Sequence, residues 1–421
     1  MQFRKVNILG SFGAYTLSNA INSAIPFFLL PILTSYLDPS AYGALTNINT
    51  LVNLLIPFVG INIMTSIQIV YAKRIEILPA YLSSGLVLML ALTVIASGLL
   101  WLFSDELEVI LGVPKNIIIL TASYCTYQNI VELVMAIWRM ENKLWNFAVF
   151  RIGRTLLEIA ITLILIIQFD WSFEGAVAGM AYSYGVAAFL VLIILWKRNM
   201  LQRNFQFEHV THIFKYGVPL IPHVLASTFI FYTDKLVITH YLGLSANGIY
   251  SVGFMIGQVI GLIQNSFNQA WVPFYYEQMR LGSAEVRKRI VKWTYWYFLI
   301  MLILVIVFVF CSNFIYLFLN KSYQSGISVV LWISLGFAFN GMYKMVSTVF
   351  FYTERTSLLS IISSLTALFN GVLVLFLVPL YGVTGAAIST MIAFFIQFVV
   401  TWYFSSRIEE MPWRNWKFWR E

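Results

Sequence analysis

The sequence predicts an all-α integral membrane protein, with about twelve transmembrane helices in two parallel six-helix lobes related by a pseudo-two-fold axis along the membrane normal. Three observations carry that expectation. Apolar residues make up 60% of the 421 and charged residues only 10%, against roughly 25% charged in a soluble globular chain. Long apolar runs follow one another with only short polar loops between them. A ten-residue motif near the start returns 205 residues later. A water-soluble fold could not cover so much apolar surface, because much of its exterior must face water.

A helix needs roughly 20 apolar residues to cross the hydrocarbon core. Such stretches fall at 10–36, 44–71, 78–103, 116–138, 146–168, 173–196, 213–241, 248–276, 293–319, 325–352, 357–379 and 383–405. Residues 1–9 are short and polar. The run after them is too long for a signal-peptide core and lacks a small-residue cleavage site, so no cleaved leader is expected. Pro219 and Pro222 at the start of the seventh span predict a bend there. The loops leave no room for a sizeable extramembrane domain.

Charge sets the orientation. With the N-terminus in the cytoplasm, only Lys115 and Lys321 of the 26 Lys and Arg fall outside, while Arg154, Lys235 and Lys344 fall within the membrane. The rest lie inside, among them Arg4, Lys5, Lys73, Arg74, Arg139, Lys143, Lys197, Arg198 and Arg287. Asp38, Asp105, Glu106, Glu108, Asp170 and Glu174 sit in the opposite loops. This is a positive-inside pattern that one missed span would invert. It places both termini in the cytoplasm and makes the net charge of +8 a rim facing anionic lipid. Nucleic acid is therefore not an expected partner. Cys125 and Cys311 lie in apolar runs without CxxC or Cys/His spacing. They read as packing residues, and neither a metal site nor a cofactor is expected.

The repeat sets the domains. Thr34-Ser-Tyr-Leu-Asp-Pro-Ser-Ala-Tyr-Gly43 and Thr239-His-Tyr-Leu-Gly-Leu-Ser-Ala-Asn-Gly248 agree at Thr, Tyr, Leu, Ser, Ala and the final Gly. Glu174-Gly-Ala-Val-Ala is echoed by Thr384-Gly-Ala-Ala-Ile. Each pair occupies the same place in its half, so the repeat unit is six spans, and an even number keeps both halves in one orientation. The expected division is a first lobe over 1–197, a basic cytoplasmic linker over 198–212, a second lobe over 213–405 and an interfacial tail over 406–421, where aromatic and basic residues alternate.

Tyr36-Leu-Asp-Pro-Ser-Ala-Tyr-Gly43 after the first span resembles the loop signature of polysaccharide transporters. Asn370-Gly-Val-Leu and Val378-Pro-Leu-Tyr-Gly-Val-Thr-Gly-Ala-Ala-Ile-Ser-Thr390 resemble their near-terminal motif more closely. These are the O-antigen flippases and relatives within the multidrug/oligosaccharidyl-lipid/polysaccharide exporter superfamily, and the likeness extends over the chain in length, span number and repeat. The resemblance implies a lipopolysaccharide-biosynthesis role in the bacterial inner membrane. The substrate it implies is an undecaprenyl-pyrophosphate-linked oligosaccharide, delivered to the polysaccharide polymerase machinery outside.

Ionised groups within a membrane cost at least about 2.5–3.5 kcal/mol each at the centre, so each asks for a partner, a wet cavity or a role. Arg154 and Glu158 stand one turn apart in the fifth span, with Arg151 a turn nearer the cytoplasm. Either they neutralise one another or Arg154 meets the substrate's pyrophosphate. Asp234 and Lys235 in the seventh span point about 100° apart. Asp234 reads as a site for a coupling ion, either H+ or Na+, or as a bonded partner across the lobe interface. Lys235 reads as an anion contact or as a snorkelling cation. Glu132 has Arg139 or Arg154 as its expected partner, and Lys344 shares a face with Asn340 and reads as cavity-lining. Asn22, Asn53, Gln258 and Asn265 are the amides expected to line a hydrated cleft, Asn53 falling on Gln258 under the repeat. Glu158 and Glu132 are further coupling candidates.

No nucleotide-binding loop occurs in the sequence. An enzyme is not expected, since neither an acidic metal motif nor a large outer loop is present. The leading expectation is a flippase working by alternating access and driven by an ion gradient. The alternative is a multidrug/cation antiporter of the same superfamily, which an anionic cavity would favour.

Overall fold

The computed structural model describes residue 27 and residues 29–413, apart from 142, 203, 204, 282 and 354. The described residues are mostly helical, and no strand occurs among them. The chain divides into two compact units, 1–228 and 229–421.

In the first unit, helical residues 29–36 end at the motif loop, and Asp38 starts the next helix, α1 (Pro39–Gly60). Its carboxylate accepts from the Ala41 amide at 2.7 Å while Pro39 takes the first turn, where a missing N–H costs nothing. The second predicted span is broken. Ile61 and Asn62 adopt left-handed φ of 41° and 46° before α2 (Ile63–Lys73), and the Asn62 side-chain amide donates to Gly217 O at 3.2 Å. Then follow α3 (Leu78–Leu102), the short α4 (Ser104–Leu111), α5 (Lys115–Met140), α6 (Leu144–Gln168) and α7 (Phe173–Lys197). The core gathers Tyr81, Leu82, Leu133, Val134, Ile137 and Val191, all essentially without exposure.

Pro219 and Pro222 do more than bend the seventh span. The stretch divides into an amphipathic α8 (Phe207–Gly217), a 3-10 turn at Val218–Leu220 and α9 (Ile221–Leu242). The segment before α9 is held to the first unit. The amides of Gln202 and Gln206 donate to the Ser83 and Ser84 hydroxyls, and Tyr81 Oη meets His212 Nδ1 at 2.9 Å. A Cβ on Gly217 would stand 1.9 Å from Ile61 O, so only glycine allows this approach.

The second unit contains the end of α9, then α10 (Leu244–Gly257), α11 (Val259–Leu281), α12 (Ala284–Tyr316), α13 (Ile327–Tyr352) and α14 (Thr356–Ile408). The last is two helices meeting at Gly382, whose φ of 61° and ψ of −146° are open to glycine and almost nothing else. The near-terminal motif is thus the turn between the last two predicted spans. The first motif has a local counterpart too: Thr34 bonds back to Leu30 O, and Thr239, its repeat mate, to Lys235 O. The described part of the tail folds back on its own unit, with Tyr295 donating to Trp413 O at 2.9 Å and Arg287 paired with Glu409 at 2.8 Å.

Eight helical stretches among the described residues are long and apolar enough to cross a membrane. The fifth predicted span, α6, has the length but carries Arg151, Arg154 and Glu158 within its 25 residues. Of the two cysteines, Cys125 is buried as a packing residue would be, whereas Cys311 is exposed.

Candidate functional site

In the first unit the ionised residues of α5 and α6 converge. Arg154 donates to Glu158 at 2.5 Å, one turn along α6, and to Thr155 Oγ1 at 3.0 Å. Its guanidinium lies 4.0 Å from the centre of the Tyr184 ring on α7, and Tyr184 meets Tyr124 of α5 edge-on. Glu132 pairs with Arg139 at 3.7 Å, the first of its two expected partners. Arg139 and Arg151 flank the buried Phe147 ring at 5.7 and 5.8 Å. Glu132, Arg151, Arg154 and Tyr184 enclose a space of about 50 Å³, enough for water beside the charges. Glu132 thus lies in the same cluster as the Arg154–Glu158 pair expected from the sequence. Asn53 stands apart from it, bonded to Asn49 O of its own helix at 2.7 Å.

The second unit meets its charges differently. Asp234 has no exposed surface. Its carboxylate accepts from the Tyr250 hydroxyl and from the Lys235 amide. The Lys235 ammonium donates to Phe231 O at 3.0 Å and lies 4.4 and 4.6 Å from the Tyr232 and Phe254 ring centres. Lys344 donates to Asn265 Oδ1, while Gln264 donates to Asn340 at 3.2 Å. Gln258 is exposed between α10 and α11, so its repeat equivalence to Asn53 is one of sequence and not of surroundings. Asn22 lies outside the described residues.

A feature not foreseen from the sequence is a cavity of about 1090 Å³ within the first unit, between α5 and α7. Tyr124, Tyr127, Trp171 and Tyr182 line it, with Asp170 and Glu174 from the turn that joins α6 to α7. The signal in the sequence was the stripe Asn116, Leu120, Ser123, Tyr127 at helical spacing on α5, which reads equally well as ordinary packing.

Apolar helices in two units, with ionised side chains set inside them, define a polytopic membrane protein with the fold of a transporter. The chain belongs to the family described as polysaccharide biosynthesis protein, which it matches over residues 8–279. Among its relatives is "Lsg locus putative protein 1" of Haemophilus influenzae, 22% identical over 297 residues that cover 68% of this chain and 70% of that one. A second protein of that organism, an uncharacterized membrane protein, is 22% identical over 287 residues, covering 66% and 68% of the two chains. The fold is shared with solved flippase and multidrug-transporter structures. The lipid II flippase MurJ in an inward closed conformation superposes with a TM-score of 0.71 at 16% identity, covering 92% of this chain and 87% of that one. An inward-facing multidrug resistance MATE family transporter gives 0.70 at 16% identity, covering 94% and 96%.

Proposed function

We propose that this protein is a flippase that carries undecaprenyl-pyrophosphate-linked oligosaccharide repeat units from the cytoplasmic to the periplasmic leaflet of the bacterial inner membrane. It works by alternating access and passes its product to the polymerase machinery. The observation that carries the reading is the cluster of Arg151, Arg154, Glu132 and Glu158, beside a space with room for water, among apolar helices, in a chain of the polysaccharide biosynthesis family. Apolar packing alone would not retain such costly groups. Two arginines there supply donors for a phosphate group, with the glutamates holding them until substrate arrives. Lys235, Lys344 and the amides Asn22, Asn53, Gln258 and Asn265 are further candidates for polar contact with the substrate. Coupling to H+ or Na+ is assigned to Asp234, with Glu158 and Glu132 secondary.

One observation favours the second reading, a multidrug/cation antiporter. Among the described residues, the cavity lining of the first unit includes two carboxylates and no Lys or Arg. Deleting the gene separates the two. Lipid-linked repeat units building up in the cytoplasmic leaflet is the outcome expected of a flippase. Drug sensitivity without that build-up would replace it with the antiporter.

A further inference from the structure

We propose that the cavity of the first unit is a saccharide-binding site, which takes the glycan portion of the substrate; this rests on the flippase reading above. Its size is the first ground. Pockets for single drug-sized ligands run from roughly 300 to 1,000 Å³, and this one, at about 1090 Å³, holds a short oligosaccharide. The second ground is its walls. Four aromatic rings, those of Tyr124, Tyr127, Trp171 and Tyr182, offer flat faces for the C–H faces of sugar rings, and Trp171 and Tyr182 are 43% and 56% exposed. The third is the placing of the acids. Asp170 is exposed and Glu174 only half-buried. Carboxylates so placed hold a cation weakly, because water and salt screen them. They accept well from hydroxyl groups, and the hydroxyls and amide of Thr121, Ser123, Ser172 and Asn116 add further donors and acceptors.

The chemistry also matches a glycan joined to a pyrophosphate. The described lining has no Lys or Arg to hold the phosphates. Yet Tyr124, one of its wall residues, meets Tyr184 edge-on, and Arg154 stacks on Tyr184. The saccharide site and the arginine cluster are therefore two rings apart within one unit, and the anionic and neutral parts of one molecule fall to different side chains.

The test begins with the deletion strain. Mild acid releases the free oligosaccharide from the lipid-linked units that accumulate there, and this oligosaccharide is the probe. Saturation-transfer NMR with the full-length protein in nanodiscs is expected to show transfer to the sugar protons. Affinity should be at least tenfold weaker in Trp171→Ala and in Tyr182→Ala, and about threefold weaker in the gentler Glu174→Gln, which guards against misfolding of the alanine variants. Unchanged affinity in all three variants overturns the proposal. So does tetraphenylphosphonium binding that Trp171→Ala abolishes, with no transfer to the oligosaccharide: the cavity is then an organic-cation site. If the deletion strain accumulates no lipid-linked units, the flippase reading itself has failed before any binding is measured, and the glycan assignment falls with it.

Discussion

The two units carry comparable numbers of intramembrane charges and neutralise them by different means. In the first, opposite charges answer one another: Arg154 with Glu158 and Arg139 with Glu132, beside a small space with room for water. In the second, a carboxylate is met by a phenol and a backbone amide, and an ammonium by a carbonyl and two rings. The exposures differ accordingly. The side chains of Arg154 and Glu158 keep 10% and 26% of their surface, whereas Asp234 keeps none. An ion pair with water at hand exchanges partners at small cost. A charge held by fixed dipoles in a dry site does not, because every alternative leaves a buried group unmatched. Under the proposed function, the first arrangement serves contacts made and released with an anionic substrate, and the second a fixed point at which one small ion is gained or lost.

The sharpest way to break this contrast is at Asp234. Asp234→Leu strands the Tyr250 hydroxyl and leaves Lys235 without its neighbouring negative charge, and is expected to cost about 3 kcal/mol in unfolding in mixed micelles. Asp234→Asn keeps the shape and one acceptor oxygen but puts an NH2 donor in place of the other, and should cost about 1 kcal/mol while abolishing transport in a complementation assay. If Asp234→Leu were tolerated within about 1 kcal/mol, the carboxylate would not be the fixed group described above.

Next comes Arg154. Arg154→Ala leaves Glu158 half-buried and unpaired and is expected to cost about 2 kcal/mol, while the double change Arg154→Ala with Glu158→Ala should cost less than the two singles added together, by about 1 kcal/mol. A double-mutant cycle on purified protein reads this directly. Strict additivity would mean that the pair does not act as one, and that the first unit resembles the second.

Much of this was legible in advance, for reasons particular to each element. The membrane class and the two ends of the chain's repeat follow from apolar run length and from glycine and proline chemistry, which are local. Gly382 is the clearest case, since its backbone geometry admits little else. Partnerships one turn apart, such as Arg154 with Glu158, were also readable, because helix geometry alone brings them together. Partnerships between helices were not. Nothing in the sequence ties Tyr250 to Asp234, or Asn265 to Lys344, since those contacts depend on rotation and depth of separate helices. The second span was expected to run unbroken although Pro57 and Gly60 stand just before the break, because the left-handed turn itself falls on Ile61 and Asn62, residues that do not announce one. The cavity was not legible because the stripe Asn116, Leu120, Ser123 and Tyr127 on α5 suits a packed face as well as an open one.

A smaller effect is expected at Lys344. Its ammonium keeps one amide partner, Asn265, and part of its surface. Lys344→Met retains the length and packing of the stem and removes the charge. The expected cost is about 1 kcal/mol or less, since partial hydration stands in for the lost bond. A cost comparable to that of Asp234→Leu would place Lys344 among the rigidly held charges, and the contrast between units would rest on Asp234 and Lys235 less than on depth.

The smallest effect isolates pairing from burial. Lys115 and Asp105 form an ion pair at 3.4 Å in the same unit as Arg154, but their side chains are 60% and 82% exposed. Screening and side-chain entropy leave such a pair little net value, so Lys115→Ala is expected to change stability by less than about 0.5 kcal/mol and to leave transport intact. The measurement decides what the first unit's pairs are for. If Lys115→Ala cost as much as Arg154→Ala, charge pairing anywhere in this unit would hold the fold together, and the cluster on α6 would have no separate claim. If it costs almost nothing, the same chemistry matters only where the membrane makes an unpaired charge expensive, which is where the proposed function needs a phosphate to be able to replace a protein carboxylate as partner.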